Sequence, residues 1–198
     1  GGDRLIAVGS LGDWLEDPDR ALVLVSPASL VPSTLPAARG SIVDLGTLGG
    51  RATATDINEA GQVVGYSTSV DGTHGFLWEA GRMTELTTPA GGSVIPRAIN
   101  DLGQVVGAAA AANGESRAFL WDGGRMTDLG VLGASGSRAT GINNLGVVVG
   151  VRDSAAGQQA CGFAWEAGKV TDLCLTDALA VNDAGSAVGQ GFPIGDGP

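Results

Sequence analysis

Apolar residues along this chain come in short bursts, two to four residues long, separated by polar turns that carry glycine. The stretch from 52 to 86 shows the rhythm. Ala52–Ile57 predicts a short strand, A, and Asn58-Glu59-Ala60-Gly61 a turn, because Asn bonds its own backbone and Gly accepts positive φ. Gln62–Ser67 is β-rich and predicts strand B. Ser69–Gly72 turns again, Gly75–Trp78 predicts strand C, Glu79-Ala80-Gly81 turns, and Arg82–Leu86 predicts strand D. Short strands joined by short turns make an antiparallel four-stranded meander. Val63-Val64 and Phe76-Leu77-Trp78 put apolar groups on both faces of that sheet, since successive side chains point opposite ways. Both faces therefore need covering. Strand D differs: Arg82/Glu85, Arg125/Asp128 and Lys169/Asp172 place charge at matching positions, as sheets do on an outermost strand.

The pattern recurs. Ile57-Asn58-x-x-Gly61-Gln62-Val63-Val64-Gly65 returns from Ile99 to Gly107, from Ile142 to Gly150 and, worn, from Val181 to Gly189, with steps of 42, 43 and 39 residues between first glycines. A fixed period of this size means stacked or radially arrayed supersecondary units. We read one repeat domain over 1–198. It holds a partial unit 1–50 with two loop insertions, full units 51–92, 93–135 and 136–176, and a closing partial unit 177–198. The first unit is permuted: Asp3–Ser10, Arg20–Leu24 and Ser41–Gly46 read as B, C and D, with no A. Sheets sandwiched between like neighbours, each with a polar outer strand, predict an all-β protein, a β-propeller of four-stranded antiparallel blades. Seventeen strands suit four blades, with five as the alternative, closed by pairing the N- and C-terminal strands. An arc of a larger ring and a β-solenoid are the rival architectures.

Composition narrows the function classes more than it names one. Net charge is −10 with only 16% charged residues, the basic ones being ten Arg and Lys169. Nucleic acid and anionic membranes need a basic patch, so neither is an expected partner. No apolar run approaches the ~20 residues of a membrane span. The 34 glycines lack a collagen period and accompany 43% hydrophobic residues, which assigns them to turns and close packing. No secretory leader is recognisable and position 1 is Gly, which suggests a processed or cut N-terminus.

His74-Gly75-Phe76-Leu77-Trp78, Asp44-Leu45-Gly46-Thr47-Leu48-Gly49-Gly50 and the Ile-Asn-x-x-Gly-x-Val-Val-Gly phrase together resemble the HAF-type bacterial repeat, over roughly residues 41–190. The A-B-C-D rhythm is also similar to WD-repeat propellers. The HAF resemblance implies an extracellular repeat protein and carries no catalytic residue across. The chain departs from it where Arg117 and Cys161 replace the His, and where the first unit has neither His nor Trp in its strand C.

Cys161 and Cys174 open strand C and end strand D of one hairpin. Pairing Trp165 with Val170 sets them opposite each other, within bridging distance, so a disulfide is expected, in keeping with an oxidising compartment. Metal ligation is not expected: there is no C-x-x-C, and His74 is the sole His. The Asn/Asp-rich turns lack the carboxylates of a calcium loop, and the glycine-rich segments lack the helix and Lys of a phosphate loop. No cofactor is expected.

Binding is the chemistry that the irregular features favour. One insertion, Leu11–Asp19, joins strands B and C and holds Trp14 among four acids; the other, Ser26–Arg39, joins C and D. In a propeller the B–C and D–A loops share a face, so Trp14, His74 and Arg117 define a candidate binding surface on a rigid scaffold. Asp56, Arg97 and Thr140, with Asp177, stand near strand-A ends and form a second candidate cluster by the channel. The expected function is a secreted binding or interaction module for a small molecule, a glycan or a protein. A self-assembling extracellular subunit, whose spare seventeenth strand adds to a neighbour's sheet edge, is one alternative, and a homo-oligomer would follow from it. A hydrolase or lyase at the channel mouth is the other.

Overall fold

The computed structural model describes residues 6–9, 21–25, 41–88, 91–130, 136–153, 160–173 and 175–191. Among these residues there are seventeen strands and no helix. The first sheet holds β1 (Ile6–Gly9), β2 (Ala21–Val25) and β3 (Ser41–Gly46). The second holds β4 (Arg51–Ile57), β5 (Val63–Ser69), β6 (Gly72–Glu79) and β7 (Arg82–Leu86). The third is β8 (Val94–Ile99), β9 (Val105–Ala110), β10 (Ser116–Asp122) and β11 (Arg125–Asp128). The fourth is β12 (Ser137–Ile142), β13 (Val148–Arg152), β14 (Cys161–Glu166) and β15 (Lys169–Asp172). The last is the pair β16 (Leu175–Val181) and β17 (Ala187–Gly191). Every sheet is an antiparallel meander in chain order. The three outer strands β7, β11 and β15 are largely exposed, as their charge predicts.

The twin valines divide between two interfaces. Val63 and Phe76 join Leu45 of the first sheet, with Val43 and Leu48 against them. Val64, Leu77 and Leu86 face the other way and pack with Val94, Ile99, Val105 and Phe119 of the third sheet. Val106 and Ala118 turn to Ala139, Val148 and Phe163 of the fourth. Phe76, Phe119 and Phe163 are each no more than 1% exposed, and burying such a side chain contributes about 1.5–3 kcal/mol.

The repeated phrase is a lock between sheets. Asn58 Oδ1 accepts from Gln62 N (2.9 Å), and its Nδ2 donates to Gln62 Oε1 (2.6 Å) and to the Asn100 carbonyl of the next sheet (3.0 Å). Asn100 repeats this toward Asn143 (3.0 Å), and Asn143 toward Asn182 (2.9 Å). The following residues form a parallel ladder: Glu59 N donates to Asp101 Oδ1, Asp101 N to Asn144 Oδ1 and Asn144 N to Asp183 Oδ1 (2.8–2.9 Å). Buried amides with every donor used cost little and fix register.

Each first strand of the period carries a β-bulge at one place. The register slips at Ala54/Asp56, Pro96/Ala98, Ala139/Gly141 and Ala178/Ala180. The glycine that ends the phrase sits opposite. A methyl group at Gly65, Gly107, Gly150 or Gly189 would overlap the carbonyl oxygen of Thr53, Ile95, Arg138 or Asp177. That close approach, rather than a turn, explains the final glycine.

The expected pairing of C-terminal with N-terminal strands is not formed among the described residues: β16 pairs with β17 in a sheet of its own. The reason is local. Thr140 Oγ1 donates to the Ala178 carbonyl (2.6 Å) and Asn143 Nδ2 to the Asn182 carbonyl, as Thr55 and Asn58 donate to the Pro96 and Asn100 carbonyls, so β16 docks on the fourth sheet and continues the series.

Candidate functional site

The antiparallel order puts the B–C and D–A connections of every sheet at one end and the Asn-x-x-Gly turns at the other. At the first end, between the β3–β4 connection and the second sheet, lies an open cavity of about 800 Å³ lined by Leu48, Gly49, Gly50, Thr68–Asp71, His74 and Glu85. Thr47 shapes one wall. Its hydroxyl donates to the Gly50 carbonyl (2.6 Å), accepts from Gly49 N (3.1 Å) and meets Ser67 Oγ (2.8 Å). Gly50 has φ +113° and packs against the Thr68 carbonyl, where no Cβ fits.

His74 stands on β6 between neighbours on two strands. Its Nδ1 lies 2.8 Å from Glu85 Oε1 on β7 and its Nε2 lies 3.3 Å from Ser69 Oγ, the last residue of β5. Asp71 N donates to that same Oγ (3.2 Å). The β5–β6 register sets Ser67 opposite His74 and Ser69 opposite Gly72, and the β6–β7 register sets Phe76 opposite Glu85. Ser69, His74 and Glu85 are thus diagonal neighbours on the face that carries Phe76 toward the first sheet. Ser69 escapes a reading of the sequence because its period mate is Ala111, and Glu85 is visible there only as the recurring strand-D acid shared with Asp128 and Asp172.

Arg117 occupies the equivalent place one sheet later. It lines an apolar cavity of about 270 Å³ with Ala109, Phe119 and Met126. Its guanidinium bonds Glu115 (2.8 Å), leaving the buried Nε without a partner. Hydrogen bonds from Asn113, then from Arg117, hold the Glu115 carboxyl below its usual range. His74 and Arg117 therefore share one face in successive clefts. Trp14 lies outside the described residues.

The strand-A candidates do not converge on one point. Asp56 lines a polar hollow among Asn58, Glu59, Asn100 and Asp101, at the opposite end of the sheets. Its carboxylate accepts from Ile57 N and Ile99 N (2.9 Å each). Burial raises its pKa above 3.8, and these two bonds offset part of the rise. Thr140 and Arg97 are bulge residues. The Thr140 hydroxyl is taken up by the Val149 and Ala178 carbonyls, and Arg97 is exposed. Asp177 pairs instead with Arg138 at 3.6 Å. The period and the bulges agree against this grouping: Thr55, not Asp56, is the mate of Arg97 and Thr140.

Trp165 does pair with Val170, and the hairpin register runs as far as Phe163 opposite Asp172. Cys174, the expected disulfide partner, lies outside the described residues. Cys161 is a half-buried free thiol near the Gly162 and Leu173 carbonyls (3.6 Å each). Among the described residues no three His, Cys, Asp or Glu side chains converge to hold a metal ion, and no helix is long and apolar enough to cross a membrane. No protein-family model and no curated protein matches the chain.

Proposed function

We propose that this chain is a secreted, HAF-type β-propeller whose loop face binds a hydroxyl-rich ligand, a glycan in the first instance. The observation that carries the reading is the roughly 800 Å³ cavity between the β3–β4 connection and the second sheet, walled by Ser69, Asp71, His74 and Glu85 beside Leu48 and Val70. Polar groups fixed on strands, next to small apolar surfaces, suit a sugar. The packing of the sheets supports the propeller part of this reading. β8, β12 and β16 each pack on the first three strands of the preceding sheet and β4 packs on β1 and β2, while the charged fourth strands take no principal part in these junctions. Sheets gathered at one edge and spread at the other would make wedges around an axis, and the separate β16–β17 sheet supports the five-bladed alternative. Calorimetric titration with neutral oligosaccharides is expected to give a binding isotherm that His74→Ala weakens at least about tenfold. The reading fails if no oligosaccharide releases heat, or if His74→Ala and Arg117→Ala both bind as the parent does.

Self-assembly is a second reading, favoured by the last sheet. Leu179 is 49% and Val188 60% exposed, although Val188 is the period mate of the buried Val64 and Val106.

A further inference from the structure

Beyond binding, Ser69, His74 and Glu85 carry the donor and acceptor roles of an activated hydroxyl. Glu85 Oε1 accepts at 2.8 Å from Nδ1–H, and in that tautomer Nε2 presents its lone pair. That lone pair is 3.3 Å from Ser69 Oγ. The Asp71 N–H occupies an acceptor position of the same Oγ at 3.2 Å, which leaves the hydroxyl proton for Nε2. A nucleophile, a base within reach of it and a third group orienting the base are what nucleophilic catalysis requires, on any fold. All three residues line the open cavity, and all three sit on paired strands, which hold a site more rigidly than loops do. The constellation is made once: the chain has a single His, and its counterparts are Arg117 and Cys161.

We propose that Ser69 is the nucleophile of an ester-cleaving site in this cavity, with His74 as general base and Glu85 as positioning residue. Ser69 Oγ attacks the acyl carbon. The Oγ–C bond forms, the C–O bond to the alcohol breaks, and the hydroxyl proton passes through His74 Nε2 to the leaving alkoxide. Water then attacks the acyl-serine; its proton follows the same route back to Ser69 Oγ, and a carboxylic acid is released. Cavity size and polarity suit the acyl group of an acylated sugar. This inference is independent of sugar affinity, since an inert pocket could still bind glycans.

The test is covalent. A fluorophosphonate probe is expected to phosphonylate Ser69, with loss of fluoride, and peptide mass spectrometry locates the adduct. Ser69→Ala should abolish labelling, and His74→Gln should slow it by about 100-fold or more, the usual scale of a general base. Glu85→Gln should slow p-nitrophenyl acetate hydrolysis through kcat at unchanged KM, with partial recovery in Glu85→Asp. The proposal is overturned if the folded parent takes up no probe at Ser69, if His74→Gln labels at the parental rate, or if Ser69→Ala hydrolyses the ester as fast as the parent.

Discussion

Single residues show where polar chemistry has been committed to the scaffold. Asn100 is 4% exposed and uses its whole amide: Oδ1 accepts from Leu102 N and Gln104 N, and Nδ2 donates to Gln104 and Asn143. Asp56 is a costlier member of the same region. Because burial raises its pKa, the protonated form is the better tolerated one in the fold. Its contribution to stability is therefore present below 3.8 and is lost as pH rises through the higher folded value. Urea unfolding of the parent and Asp56→Asn across pH 3 to 7 should show their stability difference changing in that window, with the parent relatively stronger at the acid end. A difference that stays flat with pH would contradict the assignment. The amide ladder was half legible in the sequence. Asn-x-x-Gly announces a turn by itself, but a bond between residues 42 or 43 positions apart has no local signature.

At the level of the strand, the bulge decides most. Two residues of the first strand oppose one residue of the second at Ala54/Asp56, and the chain bends there. Gly65→Ala would drive a methyl group into the Thr53 carbonyl, against backbone that cannot move aside cheaply. A loss of about 1–3 kcal/mol or more is expected by denaturant titration. Gly75→Ala meets side-chain carbons of Val94 and Pro96 instead and should cost less, because these contacts are longer than the one to the Thr53 carbonyl oxygen and involve no backbone atom. Equal costs would argue against the bulge as the cause. Strand identity and order were readable from apolar bursts and glycine turns, and Ser41–Gly46 matches its expected span. Strand ends were not. The B–C hairpin closes on Ser69 opposite Gly72, so β5 and β6 run further than composition suggested, and this extension places Ser69 beside His74. The triad-like row could not be foreseen because the counterparts of Ser69 and His74 differ in the other repeats, although the acid at Glu85 recurs as Asp128 and Asp172.

Among the described residues, the sheets pack principally on their neighbours in the series, so stability is approximately a sum of units and junctions. Asn100→Ala cuts a junction in the middle of the series and strips partners from buried backbone groups. It should cost about 1–3 kcal/mol. Asn182→Ala, at the last junction, loses fewer bonds, since the Asn182 side chain accepts only from Ser186 N among the hydrogen bonds described here. Thermal unfolding should therefore rank Asn100→Ala well below Asn182→Ala, and the reverse order would refute nearest-neighbour coupling through the ladder. The ladder also bears on how such a chain arises. Asn58 bonds to the residue that is its own copy one period later, as Asn100 and Asn143 do. A segment with this property fits beside a duplicate of itself without any compensating change. Tandem duplication in a gene would lengthen the series one whole unit at a time, each addition arriving with its interface already made. Only the rotation from one unit to the next, and not any special contact, would then set whether growth ends in a ring or continues as a filament.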